Sequence, residues 1–388
     1  MIASVLRPQS IADLAQQVAA IDEAGDACAL VGGKTEIGLG NAPTRPLQTI
    51  ETAALSRIVD YAPSDQTITV EAGITHAALQ AEVAQHGQFL AIDAADSARA
   101  TIGGMIAANT WGRRRLKYGT IKDLIVGVGI VRPDGTRARG GGKVVKNVAG
   151  FDLPKLMVGS LGTLGAIVEA TFRLHPLPEV ERAVGFACED HALIQAIANE
   201  LVARALEPTS VEVLGDVKTA LVVRFDGFAR GVSEQIDAAL AIARAHGVAI
   251  DELDATGIGL ADAAQARARM GPVRFQFAFL PASYAQAMKT IVTPVRTAFD
   301  QVRAIGSPSF GAAIVLAEGT TRESHAALVE ARRAIEALGG SLVIHAMPPD
   351  VALDAWGTPP PAFALMRALK HRFDPHGTFN PGRFVGGL

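Results

Sequence analysis

Glycine concentrates in three short segments whose chemistry suits a phosphorylated ligand: Val31 to Gly40, Thr101 to Gly119, and Gly159 to Gly165. Glycine lets the main chain turn its N–H groups toward one point and lets a ligand come close. Successive N–H groups in such a turn form a nest that holds a pyrophosphate. One loop of this kind is equally well read as an ordinary turn. Three of them in one half of a chain point to a single extended dinucleotide.

Two familiar nucleotide motifs fail. Gly33-Lys34-Thr35 has the end of a phosphate-binding Walker loop, but that motif needs glycine at position 28, where Cys28 stands. Gly127-Val128-Gly129 starts a dinucleotide fingerprint, but Arg132 occupies its third glycine position. Two cysteines far apart, Cys28 and Cys188, exclude a disulfide framework and four-thiolate zinc or iron–sulfur ligation by this chain alone. The nine histidines are scattered, and the pair His371 and His376 is split by a proline turn, so no metal site is expected. A net charge of -3 argues against nucleic acid as the partner. The short basic cluster Arg113, Arg114, Arg115 and Lys117 suits a phosphate or local salt bridges. No signal peptide and no transmembrane run are expected, so a cytoplasmic chain is.

The elements that must position these loops can be read from capping and periodicity. Ser10 to Ala24 reads as a helix stopped by Gly25, and Ala27 to Val31 as a strand opening into the first glycine loop. Ile58 to Tyr61 and Thr67 to Glu71 form a hairpin, and Thr75 caps a helix that Gly87 ends. Leu124 to Val131 and the run from Thr136 flank the turn Pro133-Asp134-Gly135. Ala166 to Leu174 is a strand, and His175-Pro176-Leu177-Pro178 marks a domain boundary. Beyond it, the runs Ala183 to Cys188, Ala220 to Phe225, Val273 to Leu280 and Ala312 to Ala317 alternate with alanine-rich helical stretches, an α+β pattern with one helical layer. A helix over Ala362 to Arg372 precedes the turn-rich tail Phe373 to Gly382, and no repeat at solenoid spacing is visible.

The segments Gly32 to Thr35, Thr101 to Asn109 and Tyr118 to Asp123 together resemble the FAD-binding domain of the vanillyl-alcohol-oxidase superfamily. Lys146 to Leu153, Gly159 to Gly165, and the ending Phe373-Asp374-Pro375 through Phe379-Asn380-Pro381-Gly382-Arg383 narrow the resemblance to the E-subunit family of bacterial glycolate oxidases. The resemblance implies an α+β chain. It would have a PCMH-type FAD-binding domain of two subdomains over 1–175, a ferredoxin-like α+β cap or substrate domain over 176–350, and a segment 351–388 returning to the FAD domain. It implies that the main chain of Gly32, Gly33, Lys34 and Thr35 holds the pyrophosphate, and that Asp93 to Ser97 runs along the flavin ahead of Thr101, Ile102, Gly103 and Gly104. Asn109, Gly119, Thr120 and Asp123 would line the cofactor. Gly159, Gly162, Thr163 and Ile167 would close its adenine end, and Asn380 would approach the isoalloxazine. No histidine lies in the first loop, and His76 falls on a helix outside the loops, so the FAD is expected to be non-covalent.

The implied activity is oxidation of a small 2-hydroxy acid, glycolate or D-lactate, with hydride passing from C2 to flavin N5. The substrate carboxylate calls for an arginine. Arg224 and Arg274 on cap strands, and His345 at the end of another, are the weak catalytic candidates. The His-rich metal motif and Gly-Asp-Gly of related 2-hydroxy-acid dehydrogenases are missing. The alternative is therefore a non-catalytic flavin carrier that relays electrons or stabilises a complex. The implied partners are a sister FAD subunit and an iron–sulfur subunit, with any membrane docking made through them.

Overall fold

Thirteen residues after a serine begin the fold: Ser10 caps α1 (Ile11–Glu23) by accepting from the Asp13 N–H at 3.1 Å, and Ile11, Leu14, Val18 and Ile21 recur on its buried face. The computed structural model describes residues 5–142, 151–215, 219–248, 250–253, 257, 262, 273–319, 322–347 and 353–388. The quoted stretch Lys146 to Gly150 lies outside them. The chain divides into two compact units. One contains Met1–Gly112, Gly119–Leu177 and Thr358–Leu388, and the other Arg113–Tyr118 with Pro178–Gly357. The first break thus falls just past the expected 175. The second falls beyond 350, and a short internal segment belongs with the later unit.

In the first unit, β1 (Val5–Leu6), β2 (Cys28–Val31) and β3 (Gln48–Glu51) form a parallel sheet in the order β1-β3-β2. A second, antiparallel sheet has the order β4-β5-β9-β7-β8. Its strands are β4 (Ile58–Ala62), β5 (Thr67–Glu71), β7 (Ile125–Val131), β8 (Arg137–Gly141) and β9 (Ala166–Arg173). The short strand β6 (Gln88–Phe89) pairs with β10 (His175–Pro176). Thr75 caps α2 (His76–Ala84), Thr101 caps α3 (Ile102–Ala108), and Asp152 caps α6 (Leu153–Met157). Between them, α4 (Arg115–Tyr118) goes with the other unit and α5 (Ile121–Leu124) returns to this one. One core joins α1 to both sheets: Leu14 and Val18 with Cys28 and Ile50 from the first, and Val131 and Val168 from the second.

Among the described residues, the second unit holds an eight-stranded antiparallel sheet. Its strands are β11 (Val180–Ala187), β12 (Ser210–Gly215), β13 (Thr219–Gly227), β14 (Ile250–Leu253), β15 (Val273–Ala278), β16 (Gln301–Ser307), β17 (Ala312–Glu318) and β18 (Ser341–Ala346). The spatial order β14-β11-β13-β12-β16-β17-β15-β18 resolves into two βαββαβ halves joined through β12 and β16. Helices α7 (His191–Ala203) and α8 (Ala229–Ala245) serve the first half, and α9 (Tyr284–Ala298) and α10 (Arg322–Ala337) the second. The expected ferredoxin-like cap is therefore a tandem pair. Period-two alternation sends Val211, Val213, Val223, Phe225, Phe275 and Phe277 into the helix-facing core. The intervening Glu212, Arg224 and Arg274 fall on the opposite face.

The tail returns as α11 (Phe363–Phe373) and then an extended stretch. Cys28 N–H donates to Thr378 C=O (2.8 Å) and Asn380 N–H to Cys28 C=O (2.9 Å), so the tail pairs in parallel with β2 and buries Phe379 in the first unit's core.

Candidate functional site

Strand β2 runs straight into the first glycine loop, and the returning tail lies beside it. Gly32 to Ile37, Thr101, Gly104, Ala107, Ala108, Leu161, Asn380 and Arg383 line one cleft of about 540 Å³ within the first unit. Members of all three glycine segments converge there, together with the tail. The lining is set by close packing. A Cβ on Gly33 would stand 1.6 Å from the Arg99 carbonyl oxygen, and one on Gly32 would stand 2.0 Å from Thr101 Oγ1. Thr101 Oγ1 in turn accepts the Gly104 N–H at 3.3 Å.

The donors on this wall are unsatisfied by the protein. Among the described residues, the N–H groups of Gly33, Lys34 and Thr35 donate to no acceptor. Lys34 adopts a left-handed φ of 61°, the conformation that makes a nest of successive amides. Its ammonium bonds Glu51 (2.9 Å), which also receives Arg7 (2.8 Å). Those two contacts hold the Glu51 carboxyl below its usual range. The main chain of this loop, and not the lysine, is left to meet an anion. Substituting Lys34→Met is accordingly expected to change FAD affinity by no more than about threefold, the scale of an exposed ion pair. Fluorescence titration reads this directly, and a hundredfold loss would place the ammonium on the ligand.

Asn380 supplies the matching side-chain acceptor. It is 3% exposed, has φ 45°, and donates from Nδ2 to the Leu161 carbonyl at 2.8 Å. That bond fixes which end of the amide carries the nitrogen. Its Oδ1 is buried with no hydrogen-bond partner among the described residues. A buried acceptor without a donor is costly, so a ligand N–H or O–H suits this position. Arg383, which the sequence reading passed over, donates to the Ile37 and Leu39 carbonyls (both 2.6 Å) and brings a positive charge to the same wall.

The other expected cofactor residues occupy different places. Ile102 and Ile167 are buried in the core, and Gly103 abuts Ala72, whose Cβ is 2.8 Å from where a Gly103 Cβ would stand. Asn109 closes α3 in a left-handed cap, with Gly159 bonded to Ile106 C=O at 2.9 Å beside it. Gly162 (φ 66°) lies next to the Asn380 amide, and Thr163 Oγ1 donates to Ser160 C=O at 2.7 Å. Thr120 and Asp123 are committed to each other in a capping box beside Gly119 (φ 83°), with Thr120 N–H and Oγ1 both donating to Asp123 Oδ2 (2.7 and 2.8 Å). Both side chains take part in closing the turn. Asp93 sits against Gly112, and Ser97 bonds His76 Nδ1 at 2.6 Å. His76 also reaches the Ile92 carbonyl at 2.9 Å. It is thus the anchor of the 93–97 segment, a role invisible while it was read only as a helix residue.

The candidate cations of the second unit are differently placed than expected. Arg224 is 0% exposed and pairs with Glu181 (3.3 Å) and Asp262 (2.9 Å), so it is not free to meet a substrate carboxylate. Arg274 and His345 each engage a further residue as well. The basic cluster resolves into local ion pairs: Arg113 with Glu181 (2.7 Å), Arg114 with Glu181 (3.8 Å) and Lys117 with Asp226 (2.6 Å). Arg115 lies over the Phe310 ring. His376, one of the paired histidines, bonds Asp22 at 3.1 Å.

Comparison with known proteins points to a flavin cofactor. Residues 2–141 match the family model of the FAD binding domain, and residues 357–384 match that of the FAD linked oxidases' C-terminal domain. The chain is 33% identical over 192 residues to glycolate oxidase subunit GlcD of Bacillus subtilis (strain 168), covering 50% of this chain and 41% of that one. It is 32% identical over 197 residues to glycolate oxidase subunit GlcE of Escherichia coli (strain K12), covering 50% and 55%. The matches thus span about half of these relatives. Among solved structures, alkyldihydroxyacetonephosphate synthase superposes with a TM-score of 0.73 over 98% of this chain and 77% of that one, at 18% identity, a likeness of fold. The glycines, free amides and orphaned acceptor of the cleft suit FAD, and FAD is the cofactor these matches indicate.

Proposed function

We propose that this chain, whose residues 2–141 and 357–384 match the FAD binding domain and the C-terminal domain of FAD linked oxidases, binds FAD non-covalently in this cleft and serves the oxidation of a small 2-hydroxy acid, glycolate or D-lactate. The carrying observation is the convergence of the unsatisfied amides of Gly33 to Thr35 and the orphaned Asn380 Oδ1 on one wall. When bound, FAD supplies the hydride acceptor for the substrate carbon. The chain's own part is to hold the diphosphate on three main-chain donors, to balance its charge with Arg383, and to accept one donor of the cofactor at Asn380. Cys28 takes no part: burial pushes its thiol up to about 12, which keeps it protonated and inert.

A second reading, a flavin carrier working beside a catalytic sister flavoprotein, is favoured by Arg224, whose guanidinium is already committed to Glu181 and Asp262. A cytoplasmic complex with that sister and an iron–sulfur subunit belongs to the same proposal. No helix among the described residues is long and apolar enough to cross a membrane. Anaerobic mixing of the FAD-loaded chain with glycolate and with D-lactate separates the readings. Bleaching of the flavin band by the isolated chain is the expected result. Bleaching only after a sister subunit is added would replace the first reading with the second.

A further inference from the structure

We infer that Lys370 is a positioning residue for the cofactor: with Asp374 it clasps the tail to the turn Gly159 to Gly165 and so fixes how Asn380 stands in the cleft. The inference rests on the FAD reading of that cleft. Lys370 and Asp374 are an i,i+4 pair at the end of α11, a pattern that on a helix surface contributes little. Here both leave water: the Lys370 side chain is 11% exposed and that of Asp374 0%. The ammonium spends its three N–H groups on three acceptors, Asp374 Oδ2 (2.5 Å), Thr163 C=O (2.8 Å) and Phe379 C=O (3.0 Å). The carboxylate accepts the Thr378 and Phe379 N–H groups at 2.8 and 2.9 Å.

The bond to Phe379 C=O is the informative one. That carbonyl belongs to the peptide that carries the Asn380 N–H, and the N–H side of the same peptide is held by Cys28 C=O at 2.9 Å. One peptide plane is therefore gripped from both edges. It leads into a non-glycine residue at φ 45°, a conformation that persists only where its surroundings impose it. The direction of the Asn380 side chain follows from that plane. A second tie, Asn380 Nδ2 to Leu161 C=O, reaches the same turn that Lys370 holds at Thr163. Lys370 contacts none of the cleft-facing amides. It acts through Asn380 and the turn.

The test uses the full chain, FAD as the probe, and two readouts. Lys370→Met leaves a buried carboxylate without its cation, so it is paired with the double variant Lys370→Met/Asp374→Asn, which removes both charges. The double variant is expected to regain apoprotein melting temperature relative to the single one, while FAD affinity stays down about tenfold or more. Affinity restored together with melting temperature would reduce the clasp to a structural pair and overturn the inference. Should neither variant fold, hydrogen exchange on the unaltered chain decides. FAD is expected to increase protection of the Phe379 and Asn380 amides, and unchanged protection at saturating FAD would overturn the clasp alone. An unaltered chain that takes up no FAD would overturn the cofactor reading and the clasp together.

Discussion

Gly33→Ala is expected to yield a chain that folds but loses roughly a thousandfold in FAD affinity. The new Cβ would overlap the Arg99 carbonyl oxygen, 1.6 Å away, and that atom is main chain and cannot swing aside. The loop must lift off the 99–101 segment, which carries the amides of Gly33, Lys34 and Thr35 away from the diphosphate. Three charge-assisted hydrogen bonds at about 1.5 kcal/mol each amount to about 4.5 kcal/mol, or roughly three powers of ten. Overpacking adds a stability cost of about 1–3 kcal/mol, within what a folded chain of this size tolerates. The informative contrast is Gly231→Ala on α8, where a Cβ meets nothing within 4 Å. That variant should bind FAD as the unaltered chain does and melt slightly higher. Affinity of Gly33→Ala within tenfold of the unaltered chain would mean that the loop does not carry the diphosphate.

The second large effect lies in the other unit. Glu181→Gln is expected to lower the melting temperature by roughly 10 °C at neutral pH. Glu181 receives Arg113 at 2.7 Å, Arg224 at 3.3 Å and Arg114 at 3.8 Å, and the Arg224 side chain is 0% exposed. Removing the shared anion from buried cations costs about 3 kcal/mol, taking the low end because Glu181 keeps some exposure. At about 3 °C per kcal/mol for a unit of this size, that is the stated shift. The pH dependence has a definite sign. Burial pushes the Glu181 carboxyl up, but the guanidiniums of Arg113, Arg114 and Arg224 outweigh it and hold the group below the usual carboxylate range. Its contribution is therefore complete above the unfolded value of about 4.3 and is lost as pH falls through the lower, folded value. The gap in melting temperature between the unaltered chain and Glu181→Gln should be full at pH 7 and close on the acid side. A gap that stayed constant down to acid unfolding would show that the arginines do not depend on the charge.

Much of the first unit was legible because its determinants are local. Ser10 and Thr75 announce helix starts by side-chain capping, and the glycine segments announce turns, although the helix that Thr101 caps within one of them went unread. What escaped was set by distant partners. Lys370 and Asp374 have the i,i+4 spacing common on helix surfaces, and only the folded tail shows the pair buried. Arg113 and Lys117 find Glu181 and Asp226 at sequence separations of 68 and 109, so their membership in the second unit leaves no local trace. His76 looks like any helix residue until its hydrogen bonds to Ser97 and Ile92 are seen. The doubled βαββαβ cap stayed hidden because its halves share an alternation of buried and exposed positions, not a residue pattern. Thr120 and Asp123 have spacing that also closes a capping box, a local role that the sequence carries beside any ligand contact.

The account turns on a single flavin diphosphate held by the free amides of Gly33 to Thr35. Its most direct test is equilibrium dialysis of the purified chain against FAD, followed by acid precipitation and the absorbance spectrum of both fractions. The expected outcome is one FAD per chain, showing flavin bands at roughly 370 and 450 nm, all released to the supernatant by acid. A chain that stays colourless at saturating FAD, or one whose yellow colour stays with the precipitate, would contradict it.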